Sequence, residues 1–151
     1  MLSSVFFLIL LQLSGARDRV EGAVVVAGVA VLLSVVLIEA ALLETVPIAA
    51  ENGDCATVAT TLTLSNGIFA RIFPLAPAPM IFFGIGIAVR RSHLIPGVFG
   101  TAALVVAVLF VVAGIAAIAG PAGVIRAIVM SVVEAVWILV AALAFAIRAW
   151  W

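Results

Sequence analysis

Residues 23–43, 68–89, 96–119 and 127–147 of this 151-residue chain are apolar over lengths that approach or exceed what crosses a bilayer. About 20 helical residues cover the roughly 30 Å of hydrocarbon. A fifth stretch, residues 4–13, is apolar but too short to cross. The pattern predicts an all-α fold, a polytopic transmembrane helix bundle with four full spans and one short N-terminal membrane segment. Hydrophobic residues make up 68% of the chain and charged ones 9%, which leaves too little polar surface to cover a water-soluble domain. With no long polar stretch, residues 1–151 read as a single transmembrane domain.

Seven acidic side chains balance seven basic ones, every one of them Arg, so the formal net charge is zero. Nothing in this balance points to nucleic acid. Cys55 is the only cysteine, so neither an internal disulfide nor a cysteine-rich metal site is available. His93 has no second histidine or nearby carboxylate to complete a metal site. No nucleophile elbow, phosphate loop or paired-histidine motif occurs. No cofactor or metal is expected, and hydrolytic and nucleotide chemistry are disfavoured.

Basic residues in short loops are held on the cytoplasmic side. Arg90 and Arg91 follow the second long span and Arg148 follows the last. The expected topology in the cell (inner) membrane therefore has the C-terminus and the Arg90–Arg91 loop in the cytoplasm, together with Arg17 and Arg19. Glu44, Glu51 and Asp54, and the turn Gly120-Pro121-Ala122-Gly123, fall outside, with Arg126 as the only exterior arginine outside a span. Trp150 and Trp151 beside Arg148 read as an interfacial anchor. For residues 4–13 three readings stand: a partial span, a signal sequence cleaved after Ser14 and Ala16, or the remnant of a longer helix. The absence of a basic residue before the stretch favours a membrane segment with Met1 outside.

The third membrane segment carries Pro74, Pro77 and Pro79. Each removes a backbone donor, and they push Phe73, Ala76 and Ala78 away from helical angles. Starting the helix at Pro79 would leave too short a piece to cross. The break therefore belongs at membrane depth, where freed carbonyls must be buried in protein or line a wet cavity. Two readings follow: a packed kink, or a discontinuous helix that forms a substrate or ion site. Residues 57–66 upstream are rich in threonine and read as an exterior, partly amphipathic lead-in.

Three ionisable residues fall within the spans: Glu39, Arg71 and Glu134. At 1.5 Å per residue, Glu39 lies about 25 Å from Gly22, Arg71 about 28 Å from Arg90 and Glu134 about 21 Å from Arg148. All three are expected in the outer third of the bilayer. Charges there face the bundle interior and pair, so Arg71 is expected to pair with Glu134, with Glu39, or with both. Ala127, Ser131, Glu134 and Ala141 share one small or polar stripe, which turns Glu134 inward and admits a close neighbour. The pair would either fix helix register or leave Glu134 free to couple proton movement to a substrate. Gly84-Ile85-Gly86 lacks the setting of a dinucleotide site and reads as helix packing, as do Gly84 with Ala88 and Ala116 with Gly120.

Several apolar motifs resemble, in order, a family of bacterial multipass membrane proteins known as a domain of unknown function. They are Leu37-Ile38-Glu39-Ala40-Ala41-Leu42, Ser65-Asn66-Gly67-Ile68-Phe69-Ala70, Phe73-Pro74-Leu75-Ala76, Gly86-Ile87-Ala88-Val89-Arg90 and Leu94-Ile95-Pro96-Gly97-Val98-Phe99-Gly100. Members commonly carry tryptophan after the turn proline, where Gly97, Val98 and Phe99 stand here. The resemblance implies a helical membrane fold and that residues 1–13 are the back half of a longer helix; it implies no activity.

The sequence is thus read first as a non-enzymatic component of the bacterial inner membrane. The second reading is a small transporter or channel-like protein using residues 73–79 and Glu134, and an enzyme comes third. The lipid bilayer is the expected partner, and small-residue faces also suit a homo-oligomer or another membrane protein.

Overall fold

The computed structural model describes residues 2–118 and 123–149, and in these residues the chain is helical with short connections. The helices are α1 (Leu2–Leu13), α2 (Val20–Glu51), α3 (Cys55–Leu75), α4 (Pro77–Ser92), α5 (Gly97–Ile118) and α6 (Gly123–Ala149). Gly120, Pro121, Ala122, Trp150 and Trp151 lie outside the described residues. Four helical stretches are long and apolar enough to cross a membrane: α2, the α3–α4 pair, α5 and α6. With a short apolar helix before them, they make the chain a multipass helical membrane protein. Its outward faces carry the large apolar side chains expected against lipid, among them Leu37, Val108, Ile115 and Leu139.

The spine is an antiparallel hairpin of α2 against the α3–α4 pair. At one end Arg91 Nη1 donates to Glu21 Oε1 at 2.9 Å. In the middle Gly28 lets α2 approach Met80 and Ile81. Towards the other end the hydroxyls of Thr45 and Thr61 lie 3.4 Å apart. α2 is about 48 Å long at 1.5 Å per residue, and Pro47 stands inside its last turns. The helix ends at Asn52, and Gly53 turns the chain with φ 71°. Asp54 then caps α3, accepting from the Thr57 amide at 3.0 Å and the Thr57 hydroxyl at 2.6 Å. Those bonds, the hydroxyl's first, hold the Asp54 carboxyl below its ordinary value. This cap starts α3 at Cys55, so the threonine-rich residues 57–66 are part of the helix.

α5 returns beside α4, with Gly100 against Arg90 at one end and Gly114 against Leu75 at the other. α6 runs back along α5: Gly123 packs near Ala70 and Ala117, and the Trp137 indole donates to the Phe99 carbonyl at 3.2 Å. Arg126 donates to the Ala116 carbonyl at 2.7 Å, satisfying an acceptor at the end of α5. α1 fits against this frame through Phe7, which is fully buried. Its ring meets Phe82 with centroids 5.5 Å apart and Trp137 at 6.2 Å. Phe82 in turn meets Trp137 at 5.3 Å and Phe110 at 5.8 Å.

Candidate functional site

The third membrane segment breaks at Ala76, between the end of α3 and the start of α4. Proline at the first position of α4 suits a helix start, because its missing donor would find no partner there. The Ala76 amide still donates to Ile72 at 3.1 Å, and Met80 donates back to Ala76 at 3.3 Å. Lacking N–H groups, Pro74, Pro77 and Pro79 leave the carbonyls of Ala70, Phe73 and Leu75 without their usual donors four residues on. Pro74 and Pro77 are fully buried, Ala78 is 2% exposed, and Ala76 and Pro79 are half-buried. The break is packed on most sides.

A cleft of about 230 Å³ lies between α1, α2, α3 and α6. Phe73 lines it from the last turn of α3, and Leu32, Leu33 and Val36 from α2. Its polar groups are Ser3 and Ser4 on α1 with Ser131 and Glu134 on α6. Ser131 and Glu134 are three residues apart and therefore share a helix face. The Ser131 hydroxyl donates to the Ala127 carbonyl at 3.0 Å, so its lone pairs remain free to accept. Ser4 is 4% exposed, and its Oγ is buried with no hydrogen-bond partner among the described residues. Trp137, one turn below Glu134, joins an aromatic chain that returns through Phe82 and Phe110 to Phe73.

Leu33 stands about 18 Å along α2 from Glu21, close to half the thickness of the hydrocarbon. Glu134 shares the cleft with Leu33. Glu39 lies about 27 Å along α2 from Glu21. It falls on the helix face of Val36, one turn beyond the cleft, and its Oε1 is buried with no hydrogen-bond partner among the described residues.

Arg71 is not beside Glu134. It is exposed and lines a separate pocket of about 130 Å³ with Asn66, Ala117 and Gly123. The reason lies in helix geometry: Arg71 and Phe73 are two residues apart, so when Phe73 faces the cleft, Arg71 faces away from it. Among the described residues the only ion pair within 4.0 Å is Arg91–Glu21, with Glu21 6% exposed in its side chain and Arg91 59% exposed. That pair went unread in the sequence, although Glu21 stands two residues from Arg19, which was expected on the same side as Arg91. Ser3 and Ser4 were also missed. Two adjacent serines opening an apolar helix were the available signal.

The cleft therefore joins one carboxyl and three hydroxyls in an apolar setting, with Phe73 from the last turn of α3 in its wall. Such a set can hold a proton or bind a cation; it contains no nucleophile activated by a neighbouring base. Comparison with protein-family models, curated proteins and solved structures finds no match.

Proposed function

We propose that this chain is a small transporter or channel-like membrane protein whose solute binds in the Glu134 cleft. The observation that supports this reading is a cleft inside the helix bundle that holds a carboxyl and three hydroxyls and is walled in part by Phe73 of the proline-broken segment. A carboxyl there is costly unless it is used or paired, and among the described residues no cation lies within 4.0 Å of it. Glu39 is a second acid on the α2 face beyond the cleft and extends the polar path towards the Glu44, Glu51 and Asp54 end. In this reading Arg17, Arg19, Arg90 and Arg91 mark the cytoplasmic end, as the positive-inside rule requires. The burial of Pro74 and Pro77 favours a second reading, a sealed non-enzymatic membrane component in which the break is only a packed kink.

A cysteine-accessibility scan separates the two. In a Cys55→Ser background, single Ser4→Cys, Ser131→Cys and Glu134→Cys substitutions are treated with a membrane-impermeant thiol reagent. Val132→Cys and Leu139→Cys serve as lipid-facing controls. Labelling at cleft positions with protection of the controls is the expected result. Protection of all three cleft positions in folded protein would establish a sealed bundle and overturn the transport reading.

A further inference from the structure

We infer that the ligand of the Glu134 cleft is a small monovalent cation, either an alkali ion keeping part of its water shell or a compact ammonium. The inference deepens the proposed function and rests on the cleft being an open binding site. Its donor set is what a hard cation needs. Glu134 supplies one negative charge, and Ser131, whose hydroxyl donates its hydrogen bond to the Ala127 carbonyl, presents lone pairs. Ser4 adds a hydroxyl that is nine-tenths buried, lines the cleft and has no partner among the described residues. A buried polar atom of that kind is costly and calls for a partner. Phe73 brings to the same cleft a residue whose carbonyl has lost its helical donor to Pro77.

Charge and ligand type decide the class. One carboxylate neutralises one monovalent ion, whereas a divalent ion would keep an uncompensated positive charge in low dielectric. Calcium and magnesium also require more charged or water ligands than this set offers. No cysteine or histidine lines the cleft, and among the described residues no three His, Cys, Asp or Glu side chains gather as a transition metal would need. The volume, about 230 Å³, exceeds a bare alkali ion and accommodates retained waters of about 30 Å³ each, or a small organic ammonium. Glu134 is the only titratable side chain that lines the cleft from α1, α2, α3 or α6. Glu39 stands one turn beyond on α2, and Arg71 lies on the opposite side of α3. Protons and the cation therefore compete for one carboxylate.

The test is the thermal stability of the purified full chain in nanodiscs, titrated with sodium, potassium or methylammonium chloride. N-methylglucamine chloride at matched ionic strength is the control. A ligand that binds only the folded state raises Tm saturably. The expected result is a saturable rise of several degrees with one of the three cations, smaller at acid pH, absent in Glu134→Gln and reduced in Ser4→Ala and Ser131→Ala. Which cation gives the rise distinguishes the alkali ion from the ammonium. Equal Tm in all four salts, or a full-sized rise in Glu134→Gln, overturns the inference. Should Glu134→Gln not fold, the serine variants and the wild-type cation series still decide it. Cleft labelling without any cation effect would discard the ligand class and keep the open site; absence of both would remove the site as well.

Discussion

Gly86→Val and Gly100→Val are each expected to leave almost no monodisperse protein after extraction from the membrane. These glycines form one contact between α4 and α5. A Cβ at Gly86 would stand 2.9 Å from the Gly100 carbonyl oxygen and 2.8 Å from Leu104 Cγ, and one at Gly100 would stand 2.7 Å from the Gly86 carbonyl oxygen. The obstacle is partly backbone, which cannot rotate aside as a side chain can. Overpacking in a well-fitted core costs about 1–3 kcal/mol even when side chains can yield, and a larger loss is expected here. Helices in lipid gain little from hydrophobic transfer and depend on close packing, so separating α4 from α5 removes the main source of their association. Gly67→Ala is the matching control. A Cβ at Gly67 meets nothing within 4 Å, and replacing a mid-helix glycine with alanine is worth about 0.5–1 kcal/mol. Its yield and Tm should equal or exceed the wild type, as read by size-exclusion chromatography and thermal melting.

Phe82→Ala is expected to cost about 3–5 kcal/mol, the range for deleting a buried aromatic side chain. Phe82 is 0% exposed and touches three rings from three other helices: Phe7 of α1, Phe110 of α5 and Trp137 of α6. Its removal leaves a void that rigid neighbours cannot close, and it takes away one of the two ring contacts by which Phe7 ties α1 to the frame. Phe82→Leu, which keeps most of the volume and loses the edge-to-face contacts, should show a clearly smaller fall. Thermal melting followed by tryptophan fluorescence checks both, since Trp137 reports directly on this cluster. Equal Tm for Phe82→Ala and wild type would show that the aromatic cluster does not hold the bundle together.

The helices were legible because length and apolarity are what a bilayer selects, and no arrangement of neighbours alters that. The three prolines located the break for the same local reason: Pro74, Pro77 and Pro79 cannot donate whatever surrounds them. The stripe of Ala127, Ser131, Glu134 and Ala141 was also readable. Ala127 and Ala141 are 1% and 0% exposed, and Ser131 and Glu134 are half-buried. Facing between helices was less accessible. The supposed partnership of Arg71 and Glu134 came from depth alone, and depth says nothing about azimuth; Arg71 turns to the α5–α6 junction because Phe73 takes the cleft side. Polar patterning hid the start of α3, since residues 57–66 read as an exterior, partly amphipathic lead-in until Asp54 is seen capping the helix at Thr57. Ser3 and Ser4 acquire meaning only when α1 folds back against α2 and α6.

The central claim is that α1 and α6 face each other across one cleft, with Ser4 opposite Glu134 and Arg71 elsewhere. Pairwise cysteine cross-linking in membranes tests this most directly. In a Cys55→Ser background, Ser4→Cys with Glu134→Cys and Arg71→Cys with Glu134→Cys are treated with a short bifunctional thiol reagent, and the intramolecular link is read by mass spectrometry. The account predicts efficient linking of Ser4→Cys to Glu134→Cys and none between Arg71→Cys and Glu134→Cys. The reverse pattern would place Arg71 against Glu134, remove the cleft from the bundle, and contradict the account.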